Sequence, residues 1–245
     1  MIFHILKRSL LRIRNLIPLA IAGLVLITTA SCPSRMIEVD GHRIFNPQYL
    51  WYLESKDRDR WQKPDQVLEA LGLSEGDIIA DIGAGGGYFA EKFSKRVGRS
   101  GHVYAVDVQD IMITRLNNRA RKNKLDNVTV TKGRFETPML PPNAIDVAFF
   151  SSVYKEIDGR IKYMKEVRKS LRSGGRVAIL EFYKDRGFVG PEFGDRMDES
   201  QVLEELEKAG FTLIQSFAFL PKEYFLVFGM KGNIGKEIEA RRPRY

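Results

Sequence analysis

The sequence of 245 residues predicts an α/β fold, a doubly wound and mostly parallel sheet of seven strands that ends in an antiparallel hairpin. From residue 77 onward, apolar segments of strand length alternate with amphipathic segments of helix length, as in a parallel sheet covered by helices on both faces. The last two predicted strands are separated only by residues 220–223. This connection is too short for a crossover helix, so these two strands must pair antiparallel.

Prolines and glycines mark where several elements begin and end. Pro64 suits the first turn of a helix, Gly174 and Gly175 stop a later helix, and Gly210 caps the last one. After the helix that begins at Pro64, strands are expected at 77–82, 102–107, 128–132, 144–150, 176–182, 211–219 and 224–230, and helices at 88–97, 111–123, 160–171 and 199–209.

The turn after the first of these strands is the most informative stretch, because Asp81 is followed by Gly83, Gly85 and Gly87. Glycines let a backbone approach a ligand closely, and the next helix offers free N–H groups. A dinucleotide-binding turn with the spacing G-x-G-x-x-G would need a glycine where Tyr88 stands. This spacing and the terminal hairpin argue against a nicotinamide-dependent oxidoreductase. An ordinary strand-to-helix turn is the plain alternative to a cofactor seat.

The pattern D-x-G-x-G-x-G resembles the first motif of class I S-adenosylmethionine (SAM) methyltransferases. Similar bacterial methyltransferase-like proteins with a lipoprotein-type signal also share the stretches 57–62, 140–142 and 225–228 and an aspartate at Asp107. The resemblance covers roughly residues 55–230. It implies a Rossmann-like fold, SAM as the cofactor and methyl transfer as the activity, and it does not identify the acceptor.

The expected cofactor site lies at the carboxyl ends of the strands. By resemblance, the backbone of residues 81–87 contacts the methionine and ribose parts of SAM. Asp107 ends the second strand, 24 residues after Gly83, and can accept hydrogen bonds from two ribose hydroxyls. Capping of the next helix is the alternative role for Asp107, although Asp110 is better placed for it. Val108 is placed to pack near the adenine, or equally in the core.

Two further cofactor contacts are expected after the third and fourth strands. Methyltransferases often place an acid after the third strand that binds the adenine amino group, but here Arg134 stands at that position. Glu136, two residues later, is the candidate substitute, and a solvated surface role is its alternative. Ser151 opens the loop after the fourth strand, which we expect to face the transferring methyl group.

The same loop contains the candidate catalytic residues Tyr154, Lys155 and Glu156. In similar proteins the loop often reads Val-Tyr-His-Glu, so Lys155 stands where those proteins have a histidine. A lysine stays mostly protonated at neutral pH unless it is desolvated, which leaves Tyr154 and Glu156 as candidates for orienting the acceptor. Methyl transfer is an in-line displacement that depends chiefly on positioning, and no metal is implied.

The composition excludes several kinds of site. A single cysteine, Cys32, rules out an internal disulfide framework and a multi-cysteine metal site. Only three histidines are present, which argues against a histidine zinc site and a Ser-His-Asp triad. The net charge of +8 owes much to basic residues near the two ends of the chain, so no nucleic-acid partner is expected.

The N-terminus has the order of a secretory signal: a basic segment, an apolar segment over residues 16–29, and small residues before Cys32. A cysteine directly after Ala-Ser resembles a bacterial lipoprotein signal, in which the cysteine is lipidated and becomes the first residue. An uncleaved membrane anchor and a buried helix are the alternatives. The apolar run is shorter than the ~20 residues that a membrane span needs.

We therefore expect a signal peptide or membrane anchor over 1–32, a linker over 33–56, a SAM-dependent methyltransferase domain over 57–230 and a basic tail over 231–245. A signal or anchor would export the domain and attach it to the membrane. Translation from Met36 would instead leave it in the cytoplasm, where SAM is made. The expected function is methyl transfer from SAM to a small-molecule acceptor. The alternative, favoured by Lys155 and by the external location, is a catalytically inactive SAM- or nucleotide-binding module tethered to the cell envelope.

Overall fold

The computed structural model describes residues 35–55, 57–186 and 190–232. The expected signal segment with Cys32, and all but the first two residues of the basic tail, lie outside the described residues. Within the described ranges, no helix combines the length and the apolar character that crossing a membrane requires.

The first described elements form an N-terminal segment ahead of the sheet. A hairpin of β1 (Met36–Val39) and β2 (His42–Phe45) is followed by the short helices α1 (Leu50–Leu53) and α2 (Arg58–Gln62). The elements that follow are α3 (Pro64–Leu71), β3 (Ile78–Ile82), α4 (Tyr88–Val97), β4 (His102–Asp107), α5 (Asp110–Asn123), β5 (Val128–Lys132), β6 (Ile145–Ser151), α6 (Arg160–Ser170), β7 (Leu171–Phe182), α7 (Glu199–Lys208), β8 (Phe211–Phe217) and β9 (Glu223–Met230).

The main sheet has the strand order β5-β4-β3-β6-β7-β9-β8. β3 to β7 run parallel, whereas β9 pairs antiparallel with both β7 and β8. The predicted fold class is therefore confirmed. The strand order reverses beside β3, because the chain first builds outward from β3 to β5 and then returns to add β6 on the other side of β3. Such a switch point opens a crevice at the carboxyl ends of the strands.

Apolar side chains cover both faces of this sheet. On one face, Phe89 and Phe93 of α4 are buried against Phe149 of β6, with ring centroids 4.8 and 5.0 Å from that of Phe149. On the other face, Met164 and Val167 of α6 are fully buried in a second cluster. Each such side chain contributes about 1.5–3 kcal/mol through burial, so the sheet is a rigid platform for the loops at its edge.

The structure differs from the predicted boundaries at the start of β7. The prediction stops a helix at 171 with the glycine pair, but α6 ends at Ser170 and β7 already begins at Leu171. Pairing with β6 shifts register between Ile145 and Val147, which places Gly174 and Gly175 in a bulge. A Cβ at Gly175 would lie 2.9 Å from the carbonyl oxygen of Ile145. The glycines therefore serve close strand packing rather than the helix end.

The segment expected to be a linker contains the β1–β2 hairpin, which contacts the loops at the carboxyl edge of the sheet. His42 stacks on Phe135 after β5, with ring centroids 3.7 Å apart, and its Nδ1 lies 2.8 Å from Asp158 after β6. Arg43 pairs with Asp195 after β7 at 2.8 Å. The hairpin thus spans three loops of the sheet edge and belongs to the same compact unit as the sheet.

Helix α2 is attached to the sheet through buried polar side chains. Gln62 is fully buried, and its amide donates to Ser151 Oγ at 3.1 Å and to Glu223 Oε1 at 2.9 Å. The Arg58 guanidinium donates to Gln62 and lies 3.9 Å from the ring centroid of Tyr88. Within the part of the chain that the structure describes, Glu223 Oε2 and Asp81 Oδ2 are buried without a hydrogen-bond donor.

These buried carboxyl groups predict how the stability of the fold depends on pH. Burial raises the pKa of Glu223 to about 8, although Arg58 opposes the shift, and burial raises the pKa values of Glu181 and Asp81 to about 7. Between the ordinary carboxyl pKa and these values, the folded protein holds protons that the unfolded chain has released. The free energy of unfolding should therefore fall as the pH rises from about 5 to about 8.

Glu223→Gln should flatten this decline, because an amide does not titrate in this range. Urea unfolding at several pH values measures the slope, and Glu69→Gln, an exposed glutamate on α3, is the matched control. An unchanged slope in Glu223→Gln would show that Glu223 is ionised in the folded protein throughout.

Candidate active site

A cavity opens at the carboxyl ends of β3, β4, β6 and β7 and is covered by the hairpin and by α2. Strand ends and the loops behind them supply one side, and the N-terminal segment supplies the other. The predicted site residues that line it are Gly83, Gly85, Asp107, Val108, Ser151, Lys155 and Glu156. The structure therefore brings together residues that are up to 73 positions apart in the sequence.

The glycine turn borders the cavity with its backbone. Gly83 and Gly85 have φ values of +72° and +55°, a region that favours glycine. The Gly83 N–H donates to the Val106 carbonyl at 2.9 Å, and a Cβ at Gly83 would lie 2.4 Å from Cγ2 of Val153. The turn is therefore pressed between the end of β4 and the loop after β6.

Asp107 ties this turn to the neighbouring strand. Its Oδ2 accepts from the Gly85 N–H and its Oδ1 from the Gln109 N–H, both at 2.9 Å. Burial raises the pKa of Asp107, and the backbone donors of Gln109, Gly85 and Val108 oppose that rise. Each carboxyl oxygen keeps lone pairs for a further donor. Asp107 can thus hold the turn and bind a ligand diol at once.

Two residues of the predicted motif do not line the cavity. Asp81 is 2% exposed, and its carboxylate accepts a hydrogen bond from the backbone of Ala90 in α4. Gly87 has a φ of +84° at the first residue before α4, where an added Cβ would lie 3.0 Å from Leu116. Both residues connect the turn to the helices behind it, and their contact with the cofactor stays a prediction.

Glu136 is also absent from the residues that line the cavity, and its role at the adenine stays a prediction. The backbone turns sharply here, with Arg134 and Thr137 bonded to each other across the turn. This turn leaves Glu136 exposed and puts Arg134 and Phe135 on the cavity. The residue type after β5 was therefore a poor guide, because a tight turn decides which of these side chains faces inward.

Tyr154 is fully buried in the core and does not line the cavity, although its neighbours on both sides do. Its hydroxyl donates to Glu205 Oε2 in α7 at 3.0 Å, and Glu205 is also paired with Arg160 at 2.7 Å. The expected catalytic role of Tyr154 is therefore corrected to a structural one. The short 3-10 turn at residues 154–156 separates side chains that are adjacent in the sequence.

Lys155 and Glu156 form an ion pair on the cavity wall, with 2.9 Å between Nζ and Oε1. Burial lowers the pKa of Lys155, but the carboxylates of Glu156 and Glu181 raise it more, so the pKa lies above its ordinary value. Lys155 is consequently a charged hydrogen-bond donor at neutral pH and not a proton acceptor. Glu156 is the acceptor of the pair.

Sequence reasoning missed the contribution of the N-terminal segment to the cavity. Arg58 and Trp61 of α2 line it, as do Met36, Arg43 and Phe45 of the hairpin. The resemblance had singled out the stretch 57–62 without giving it a role. For the hairpin, the available signal was the pair Asp40-Gly41, a typical two-residue hairpin turn with both φ values positive.

Comparison with known families gives a match over most of the domain. The family described as "Methyltransferase domain" matches residues 73–220. A curated relative, the ubiquinone/menaquinone biosynthesis C-methyltransferase UbiE of Hydrogenovibrio crunogenus, is 27% identical over 125 residues, which are 51% of this chain and 48% of the relative. The chain thus spans about half the length of the curated relatives that it matches.

Solved structures are similar over a larger part of the chain. A SAM-dependent methyltransferase from Aquifex aeolicus superposes with a TM-score of 0.73 and 28% identity, covering 76% of this chain and 98% of that one. Phosphoethanolamine N-methyltransferase 2 from Haemonchus contortus, solved with S-adenosyl-L-methionine, has a TM-score of 0.57 at 18% identity and covers 70% of this chain and 52% of that one. At 18% identity, the similarity to the Haemonchus contortus enzyme shows a shared fold and nothing more.

The geometry of the glycine turn predicts a difference between two Gly→Ala variants. Gly41 and Gly83 both have positive φ, but a Cβ at Gly41 meets nothing within 4 Å. Gly41→Ala should cost only the backbone penalty of about 1 kcal/mol. Gly83→Ala should cost more and should weaken SAM binding by at least about tenfold, because Val153 and the turn must move apart.

Chemical denaturation and calorimetric titration with SAM measure the two effects, with Gly41→Ala as the matched control. Equal stability and equal SAM affinity in the two variants would contradict the close packing of Gly83 and its place in the ligand site.

Proposed function

The chain belongs to the methyltransferase domain family, whose cofactor is SAM, and from this premise we propose that it transfers a methyl group to a small molecule held above the ends of β6 and β7. The observation that carries the proposal is the meeting of the glycine turn, Asp107 and the Lys155–Glu156 pair in one cavity. The glycine turn and Asp107 suit a nucleoside, and the Lys155–Glu156 pair lies where we expect the acceptor to bind.

The residues of the cavity fit SAM by their chemistry. Asp107 offers two carboxyl oxygens to the ribose hydroxyls, and Val108 and Met112 offer apolar surface to the adenine. The backbone at Gly83 and Gly85 comes close to the ligand because no side chain intervenes. Arg58, buried beside the turn, is a fixed cation within reach of a carboxylate at the amino-acid end.

When bound, SAM supplies an electrophilic methyl group on a sulfonium centre. The task of the protein is then to align a nucleophile and to exclude water. Lys155 donates a hydrogen bond to an acceptor oxygen, and Glu156 accepts one from an acceptor hydroxyl or amine. The curated relatives are named as C-methyltransferases, and we include a carbon atom, beside oxygen and nitrogen, among the acceptor atoms.

Calorimetric titration of the full chain tests the cofactor assignment. We expect micromolar binding of SAM and of S-adenosylhomocysteine and no binding of NAD. Asp107→Asn should weaken SAM binding by about tenfold or more, since the neutral amide presents one acceptor oxygen instead of two. Asp110→Asn is the matched control, because its carboxylate is almost fully exposed and pairs with Lys132.

Failure of both sulfur ligands to bind would overturn the proposed function. Binding without transfer to any acceptor would support the tethered binding module instead. Hydride transfer with NAD would support a nicotinamide-dependent oxidoreductase instead.

For the location of the protein, we propose export as a lipoprotein modified at Cys32. The support is the order of basic, apolar and small residues before this cysteine. Membrane attachment through the N-terminus follows from lipidation, with help from the basic C-terminal residues on anionic lipid.

Fractionation of cells that express Cys32→Ser tests the lipoprotein proposal. The variant should leave the membrane fraction or accumulate as an uncleaved precursor, because the modified residue is lost. Arg35→Ser, three residues later, is a control outside the signal. Wild-type protein found free in the cytosol, or membrane attachment unchanged by Cys32→Ser, would contradict lipidation.

A further inference from the structure

One part of the cavity has a wall of large apolar side chains. Met36 and Phe45 are register partners in the hairpin, and both line the cavity. Trp61 of α2 and Phe182 of β7 also line it, with ring centroids 5.4 Å apart and planes at 43°. Two hairpin residues and two aromatic rings therefore all present apolar surface to a ligand in this cavity.

The Phe182 end of this apolar wall lies away from the nucleoside residues. Phe182 is the last residue of β7, and the sheet order puts β3 and β6 between β7 and β4, which ends at Asp107. Strands are about 4.8 Å apart, so these two strand ends are separated by roughly 14 Å. The base of the hairpin is attached on the same side, because Arg35 donates to the Gly190 carbonyl and Arg43 pairs with Asp195.

The Lys155–Glu156 pair lies between these two ends. It follows β6, the strand beside β7, and it offers one charged donor and one charged acceptor to the cavity. A ligand on the apolar wall can therefore bury a flat hydrocarbon surface and still satisfy a hydroxyl group at this pair.

We propose that Met36, Phe45 and Trp61 form the acceptor subsite and select a flat apolar molecule with one hydroxyl group. This proposal rests on the proposed function, because the bound molecule is an acceptor only if the protein transfers a methyl group to it. These three residues precede residue 73, where the match to the family begins. The shared domain then supplies the cofactor site and Phe182, while the chain's own N-terminal segment decides which acceptor fits.

The experiment is calorimetric titration of the full chain with 2-naphthol, a flat molecule with one hydroxyl, and with cyclohexanol, which has the hydroxyl without the flat ring. We expect 2-naphthol to bind more tightly. Phe45→Ala and Trp61→Leu should each weaken it by about tenfold, the effect of losing most of one buried aromatic contact. Val39→Ala, an exposed position of the same hairpin, should leave it unchanged.

SAM is titrated into the same variants, which separates this inference from the proposed function. Unchanged SAM affinity with weakened 2-naphthol binding supports the subsite. SAM binding lost equally in Phe45→Ala and Trp61→Leu would place the wall in the cofactor site and overturn the inference, as would equal 2-naphthol affinity in all variants or equal binding of cyclohexanol.

Absence of SAM binding in the wild type would overturn the proposed function alone. Met36→Ala provides a smaller change that keeps the test valid where an aromatic substitution unfolds the hairpin. Met36→Ala should also weaken 2-naphthol binding. Unchanged 2-naphthol affinity in a folded Met36→Ala variant would count against the subsite.

Discussion

β3 pairs in parallel with β4 on one side and with β6 on the other, and this pairing determines where the loops that line the cavity lie. Parallel strands that share a sheet end at one edge, and the change of direction at β3 leaves a gap between the loops there. The glycine turn fills the floor of that gap. The bond from the Gly85 N–H to the Asp107 carboxylate then joins the turn of one strand to the end of the next, so the position of the cavity follows from the sheet order.

A second consequence of this edge is the gathering of buried ionisable groups. Arg58 is placed near Asp81 and Glu223, and Lys155 near Glu156 and Glu181. Burying such groups costs free energy that their mutual attraction offsets only in good geometry. A purely structural sheet edge has no need of these groups, and the raised carboxyl pKa values are typical of a working site. Arg58 and Gln62 belong to α2, so the N-terminal segment is a structural part of this sheet edge and not merely a linker that leads to it.

The site could be predicted wherever backbone geometry sets the position of a residue. Gly83, Gly85 and Asp107 follow strand ends, and the register of a parallel sheet brings strand ends together whatever the surrounding side chains are. Glu136 and Tyr154 could not be placed in the same way. A tight turn leaves Glu136 exposed. A single 3-10 turn directs Tyr154 into the core, where it bonds to Glu205. Residue type and spacing do not reveal which way either side chain points.

By itself, the sequence determined the fold class, the order of helices and strands from α3 to β9, the terminal hairpin and the glycine turn, because periodicity, glycine spacing and connection length act locally. Only the tertiary structure decided that the hairpin covers the cavity, that Lys155 is paired with Glu156, and that Gln62 joins α2 to β6 and β9. These contacts join residues that are mostly far apart in the chain. Their formation depends on which loops the folded sheet brings to one edge and on how strongly buried polar groups require partners.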